Sequence, residues 1–282
     1  MTLTASALKA LITSTRKKMK AGSPFIPDPK VRSGLLEEHG LDGLRVLLAC
    51  EHPKWSAEVV ALGSPDCPWP AAKSPLEVAK AAFGPFAEKL PQLIKRLSNT
   101  TLTCAVRHEP QAGAPDLGGW FLVYALPERG GPTLWIGGPP DDEPRVDAEG
   151  WTLPDDLKEF YRRHNGFGVL NSRDGWTGVG PGIQPSLRLA VPSLDNRVKT
   201  DDLLRLSRGE GDAGQGGWCL THATTPARGR KPAVSTPYAI VDLDDRFGLR
   251  GEPVPFDLFG FFDRWMIGDP KDELPLAESD EE

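Results

Sequence analysis

The chain has no long apolar run, no closely spaced cysteines and no stripe of basic residues, and each absence removes a class of function. No window approaches the ~18 consecutive apolar residues that a membrane span needs, so no membrane partner is expected. The N-terminus, MTLTASALKALITSTRKKMKAG, places its basic cluster after its apolar positions, the reverse of a secretory leader. The four cysteines, Cys50, Cys67, Cys104 and Cys219, are scattered and form no CxxC. Free thiols and a cytoplasmic location are the economical expectation. Nothing resembles the basic stripe that phosphate neutralisation requires, so no direct nucleic-acid partner is expected. A Walker Lys-Ser/Thr element is missing, and His39, His108 and His164 fit neither HxxxH nor HExxH. The expectation is therefore no cofactor, no metal and no catalytic residue.

What is present fits an α+β protein. The 282 residues can bury a real core, and 30 Gly with 28 Pro suit many turns better than a helical bundle. Eight Trp and eleven Phe supply packing material and argue against disorder throughout. The net charge of −6 is concentrated in the tail DPKDELPLAESDEE (269–282), which holds seven acidic residues and one Lys. That tail reads as a solvated arm, and the rest of the chain is close to neutral.

Along the chain, Leu8, Leu11 and Ile12 predict an amphipathic helix over 5–21, ended by Gly22 and a Pro-rich passage. Val46 to Cys50 has the length of a buried strand, although periodicity alone leaves a short helix open. In 74–99 apolar residues recur at three-to-four spacing, with Ser74 and Pro75 as cap and first turn. Pro85 and Pro91 should kink or divide that helix. Strands are expected at 101–109, 119–126 and 133–138. Residues 139–150 are polar and Pro-containing, the best candidate boundary. The organisation expected is an N-terminal α+β region over 1–138, a second module over 139–268 and the acidic tail over 269–282.

The segment LPDDLKEFYRRHNGFG (153–168) carries both its start and its stop. Pro154 suits the first helical position, and Asp155, Asp156 and Glu159 bring negative charge to the positive end of the helix dipole. Arg162, Arg163 and His164 bring donors to the other end. Leu157, Phe160 and Tyr161 share one stripe, and Asn165-Gly166 offers a left-handed stop.

Leu153-Pro154, the acidic first turn, the pair Phe160 and Tyr161, and Asn165-Gly166 together resemble the signature of the SUKH superfamily, whose founding yeast member is the Smi/Knr cell-wall regulator. The resemblance covers about residues 145 to 268. It implies that the helix leads into a meandering, mostly antiparallel sheet and that a C-terminal helix introduced by Pro-Phe closes the module. VPFDLFGFFDRWM (254–266) stands where that helix belongs. Between them, 187–196, 216–225 and 235–245 read as strands and 200–210 as a short helix capped by Thr200 or Asp201. The chain departs from the family in showing a loop at 139–150, where many members carry a helix, and Gly166-Phe167 where many show a Gly pair. Bacterial members are mostly immunity proteins that bind and block a toxin in the cytoplasm. The resemblance thus implies a non-enzymatic protein with a cognate toxin as partner, possessing a binding surface rather than a catalytic pocket.

Several other features invite chemistry. Gly178, Gly180 and Gly182 make a GxGxG pattern, but Pro181 interrupts it and no downstream acid follows, so a loop is expected. Cys219 and His222 lie three apart on an expected strand, which points them to opposite faces. Asp242, Asp244 and Asp245 read either as a polar turn or as an acidic lip for a basic toxin. Arg228 and Arg230 are a rim contact or a hairpin tip. Trp176 is core or an exposed anchor of the kind in which interfaces concentrate their energy. The reading favoured is neutralisation of a toxin by occlusion. A scaffold or regulator of the same fold is the first alternative, and a cysteine-dependent enzyme the second.

Overall fold

A computed structural model of the chain describes residues 26–53, 55–109, 119–128, 130–141, 155–171, 175–185, 203–208, 217–222, 238–244, 248–255, 259, 260 and 263. The architecture is α+β: helices accompany antiparallel sheet. Two compact units emerge, each assembled from three stretches of chain. One comprises 1–84, 94–139 and 167–176; the other comprises 85–93, 140–166 and 177–282. The expected boundary after 138 is close to the end of one such stretch. The exchange of 85–93 and 167–176 between the units has no counterpart in the sequence pattern. The 5–21 helix, the strand at 187–196 and the tail at 269–282 lie outside the described residues.

The first unit begins with α1 (Pro29–Glu51), where Asp28 accepts the Lys30 N–H at 2.9 Å and Pro29 occupies the first turn. Gly40, at φ 51° and ψ −120°, breaks the helix into two halves. A Cβ on Gly43 would lie 1.8 Å from the Leu35 carbonyl oxygen, so the two halves meet there backbone against backbone. The strand allowed at Val46–Cys50 is therefore helix. Val46, Leu47, Leu48 and Cys50 are all buried, and so short a run of apolar residues shows no polar face to betray its period.

Four strands follow in antiparallel order: β1 (Ala57–Val60), β2 (Leu102–His108), β3 (Trp120–Leu126) and β4 (Thr133–Gly138). β5 (Asn165–Asn171) stands next to β4 in the sheet. Phe121, Val123 and Ala125 of β3 join Leu35, Leu36, Leu44 and Leu47 of α1 in one core. Alternate positions on the other face serve a second core, where the Phe167 ring lies 5.2 Å from Trp135, 5.9 Å from Tyr124 and 5.7 Å from Phe83. Burial on both faces is why β3 reads as the continuous run WFLVYAL. The stretch 74–99 divides as its prolines demand, into α2 (Pro75–Phe83), a 3₁₀ turn (Gly84–Glu88) and α3 (Pro91–Leu97). The Ser74 hydroxyl takes the Glu77 N–H.

The second unit holds α4 (Asp155–Arg163) and an antiparallel meander of β6 (Gly175–Pro185, from Thr177 onward), β7 (Leu203–Arg208), β8 (Gly217–His222), β9 (Tyr238–Asp244) and β10 (Gly248–Pro255). The short helix expected at 200–210 is corrected by β7. Leu203, Leu204 and Leu206 fit either period, and pairing with strands on both sides decides for extended backbone. The GxGxG stretch is corrected likewise: Gly178, Gly180 and Gly182 lie within β6, whose register shifts between Val179 and Gln184. That irregularity suits a strand carrying Gly and Pro. Within the expected closing helix, Phe259, Gly260 and Asp263 are helical.

Candidate functional site

Over Asp155–Arg163 the amphipathic helix α4 is built as its sequence asks. Leu157, Phe160 and Tyr161 are fully buried along one face of α4. The opposite face carries Lys158–Asp155 and Arg162–Glu159 pairs at 3.6 Å, and Arg163 Nε donates to Glu159 Oε1 at 3.0 Å. The chain then turns through Gly166 at φ 72°, a backbone that an L side chain resists. His164 is buried within that turn, its Nδ1 2.8 Å from the Gly166 carbonyl oxygen. Nδ1 is thus the protonated nitrogen of the neutral ring, since a carbonyl can only accept. Burial pushes His164 down to about 4, against the pull of its backbone hydrogen bonds. The Asp141 N–H donates to the Tyr161 carbonyl at 3.2 Å, and Asn165 Nδ2 reaches Asp141 Oδ2 at 3.5 Å. Of the six motif residues, Phe160, Tyr161, Asn165 and Gly166 are placed this way; Leu153 and Pro154 lie outside the described residues. Their work is structural: a stripe, a stop and a turn.

The residues named for an interface divide. Asp242 and Asp244 sit on β9, two apart and therefore on one face of the strand. Register sets Asp242 opposite Arg250 on one side and Trp218 on the other, and Asp244 opposite Gly248. Trp176 belongs to β6, which makes it a strand residue rather than the loop aromatic that the sequence indicated. Asp245, Arg228 and Arg230 lie outside the described residues.

A polar constellation that sequence reasoning passed over lies in the first unit. Glu51, at the end of α1, is only 2% exposed, with Oε1 2.6 Å from Arg32 Nη1. No guanidinium N–H lies along that line, so the contact is ionic rather than a formed hydrogen bond. Arg32 Nη2 donates instead to the Pro132 carbonyl at 2.9 Å. His52, also buried, stacks on Trp55 at 4.0 Å, and Trp55 leads to His108 and Phe121. Burial pushes the Glu51 carboxyl up to about 7, opposed by Arg32, and pushes His52 down to about 4, aided by Arg32. A carboxyl that holds its proton more tightly than the neighbouring imidazole inverts the usual order. A substrate would reach neither group without movement of the chain. Adjacent Glu51-His52 was the available signal, but only packing reveals that both are buried.

Among the described residues, no group of three His, Cys, Asp or Glu side chains comes together as a metal site. Cys50, Cys67 and Cys104 are free thiols, and burial pushes Cys104 up to about 12, away from nucleophilic use. No described helix is long and apolar enough to cross a membrane. No family model, no curated protein and no solved structure matches the chain.

Proposed function

We propose that the chain is a non-enzymatic protein-binding module of SUKH-like design, an immunity protein that neutralises a cognate toxin in the cytoplasm by occluding it. One observation carries the reading. The segment with the family-like signature forms a helix whose Leu157, Phe160 and Tyr161 stripe is wholly buried, and antiparallel strands follow it, as the resemblance implies. The helical Phe259, Gly260 and Asp263 fall where the closing helix belongs. The perturbed side chains support the same reading, because Glu51, His52 and His164 are held inside the fold.

The contact surface proposed is the β9–β10 end of the meander, where Trp218, Asp242 and Arg250 fall in one cross-strand row. Trp, Asp and Arg in a row is the composition from which interface anchors are drawn. A standard interface of about 1,600 Å² in total would suffice for occlusion. The test is co-expression with the toxin domain of a neighbouring reading frame, followed by co-purification. Rescued growth and a stoichiometric complex are expected. Undiminished killing with no complex across all such candidates would sink the proposal.

A further inference from the structure

The helix α3 opens without a local cap. Leu90 precedes Pro91, and a buried leucine has no oxygen to offer the first turn. Pro91 has no N–H, which leaves Gln92 and Leu93 as the donors to satisfy. The acceptor arrives from the far end of the chain: Asp263 Oδ1 takes the Gln92 N–H at 3.0 Å and the Leu93 N–H at 2.9 Å, the latter across 170 residues. Asp263 is itself buried. Four residues before it in the sequence, the Phe259 ring lies 5.2 Å from Phe86, and the Lys89 ammonium stands 4.4 Å from its centroid.

The two sides match stripe to stripe. Phe86, Lys89 and Leu93 recur at three-to-four spacing, while Phe259 and Asp263 are four apart in sequence and each is helical. An aromatic contact, a cation over a ring and a carboxylate on two backbone donors are three chemically distinct contacts. All of these residues belong to the same unit, although the stretches flanking 85–93 belong to the other. Ser74 shows the contrast, since it caps α2 from within its own turn.

We propose that Phe259 and Asp263 form a closing strap, which holds the 85–93 segment in its fold and whose release frees that segment without unfolding the rest of the chain. Residues 85–93 are then a receptor for a short helical stripe bearing Phe and Asp four apart, filled by the chain's own C-terminal stripe.

Hydrogen exchange on the full-length chain tests this. In Asp263→Ala combined with Phe259→Ala, the Gln92 and Leu93 amides should exchange at least about fivefold faster, as loss of a cap implies. The amides of β2 and β3 should keep their protection. Asp263→Asn alone, which retains an acceptor oxygen, should preserve most of the Gln92 and Leu93 protection. A synthetic peptide of residues 254–266 should restore protection to the double variant, and the same peptide with Asp263→Ala should not. Unchanged exchange at Gln92 and Leu93 would overturn the strap. So would equal loss of protection in β2 and β3, or failure of the wild-type peptide to restore it.

Discussion

Arg32 and Glu51 meet at 2.6 Å across the helical break at Gly40. The Arg32 cation favours the charged form of a carboxyl exposed by 2%, yet burial dominates, holding Glu51 at about 7 against an ordinary 4.5. The folded state therefore binds a proton that the unfolded state has released between those values. The resulting stability is full below about 4.5 and is lost as pH rises through about 7, on the order of 3 kcal/mol in all. His52 acts in the opposite sense. With its folded value near 4 and an ordinary value of 6.5, its contribution is full above 6.5 and disappears as pH falls toward 4. His164 follows His52. Urea denaturation across pH 5 to 8 should show Glu51→Gln removing the decline toward alkaline pH while leaving the acid limb in place. An identical slope in the variant would refute the assignment.

The break in α1 makes two glycines unequal. Gly40 has a positive φ but open space around its absent Cβ, so Gly40→Ala should cost about 1–2 kcal/mol of backbone strain. Gly43 has no such freedom, because its Cβ would sit 1.8 Å from the Leu35 carbonyl oxygen. Gly43→Ala should cost about 3 kcal/mol, as backbone has to move. Thermal melts of the two variants should therefore rank Gly43→Ala lower, and the reverse order would mean that the halves do not meet as described.

Buried and exposed faces of α4 separate in the same way. Phe160→Ala should lose about 3–5 kcal/mol, whereas Arg163→Ala, which breaks an exposed pair with Glu159, should change stability by less than about 0.5 kcal/mol. Chemical denaturation measures both. Equal effects would mean that the motif stripe is not core.

For the proposed toxin complex, register distinguishes two aspartates. Asp244 faces Gly248 across the hairpin, whereas Asp242 faces Arg250. Asp244→Asn should slow association about two- to fivefold at low salt through loss of steering, with the fold unaffected. Asp242→Asn leaves Arg250 without its opposed charge and should alter stability as well as association. Stopped-flow rates against ionic strength, beside melts of the free protein, would read the difference; salt-independent rates would remove the acidic lip from the contact surface.

Of Cys50, Cys67 and Cys104, thiol labelling in native buffer should find Cys67 first. It is only partly buried, while Cys50 and Cys104 lie in the core and Cys104 holds its proton up to about 12. Peptide-resolved mass spectrometry should show Cys50 and Cys104 modified only after denaturant is added. Early modification of Cys104 would contradict its place in the core.

Local signals were legible wherever they act locally. Ser74 with Pro75, the divided helix at Pro85 and Pro91, the strands of β2 to β4 and the whole of α4 were readable, because caps, prolines and amphipathic stripes operate within a few residues. Val46–Cys50 was left open between strand and helix, and 200–210 was misread, for a shared reason. Short apolar runs satisfy either period, and the neighbour that decides is distant in sequence. The four-residue β1 carried too little pattern to be noticed, and its pairing with β2 establishes it. The residues Asp242 and Asp244 of the proposed contact surface were visible as charge, but not the Arg250 that register sets opposite Asp242.

The amino-acid order by itself determined the start of α2 at Ser74 and the left-handed turn at Gly166 after α4, since a hydroxyl three residues from an N–H or a glycine at a left-handed turn needs no partner from afar. Only the tertiary structure decided which buried groups share a site and which segment completes which unit. Glu51 finds Arg32 across a broken helix, and Leu93 finds Asp263 across 170 residues. Burial and long-range pairing are properties of the packed chain, and they set the charge states and contacts that no stretch of sequence can set alone.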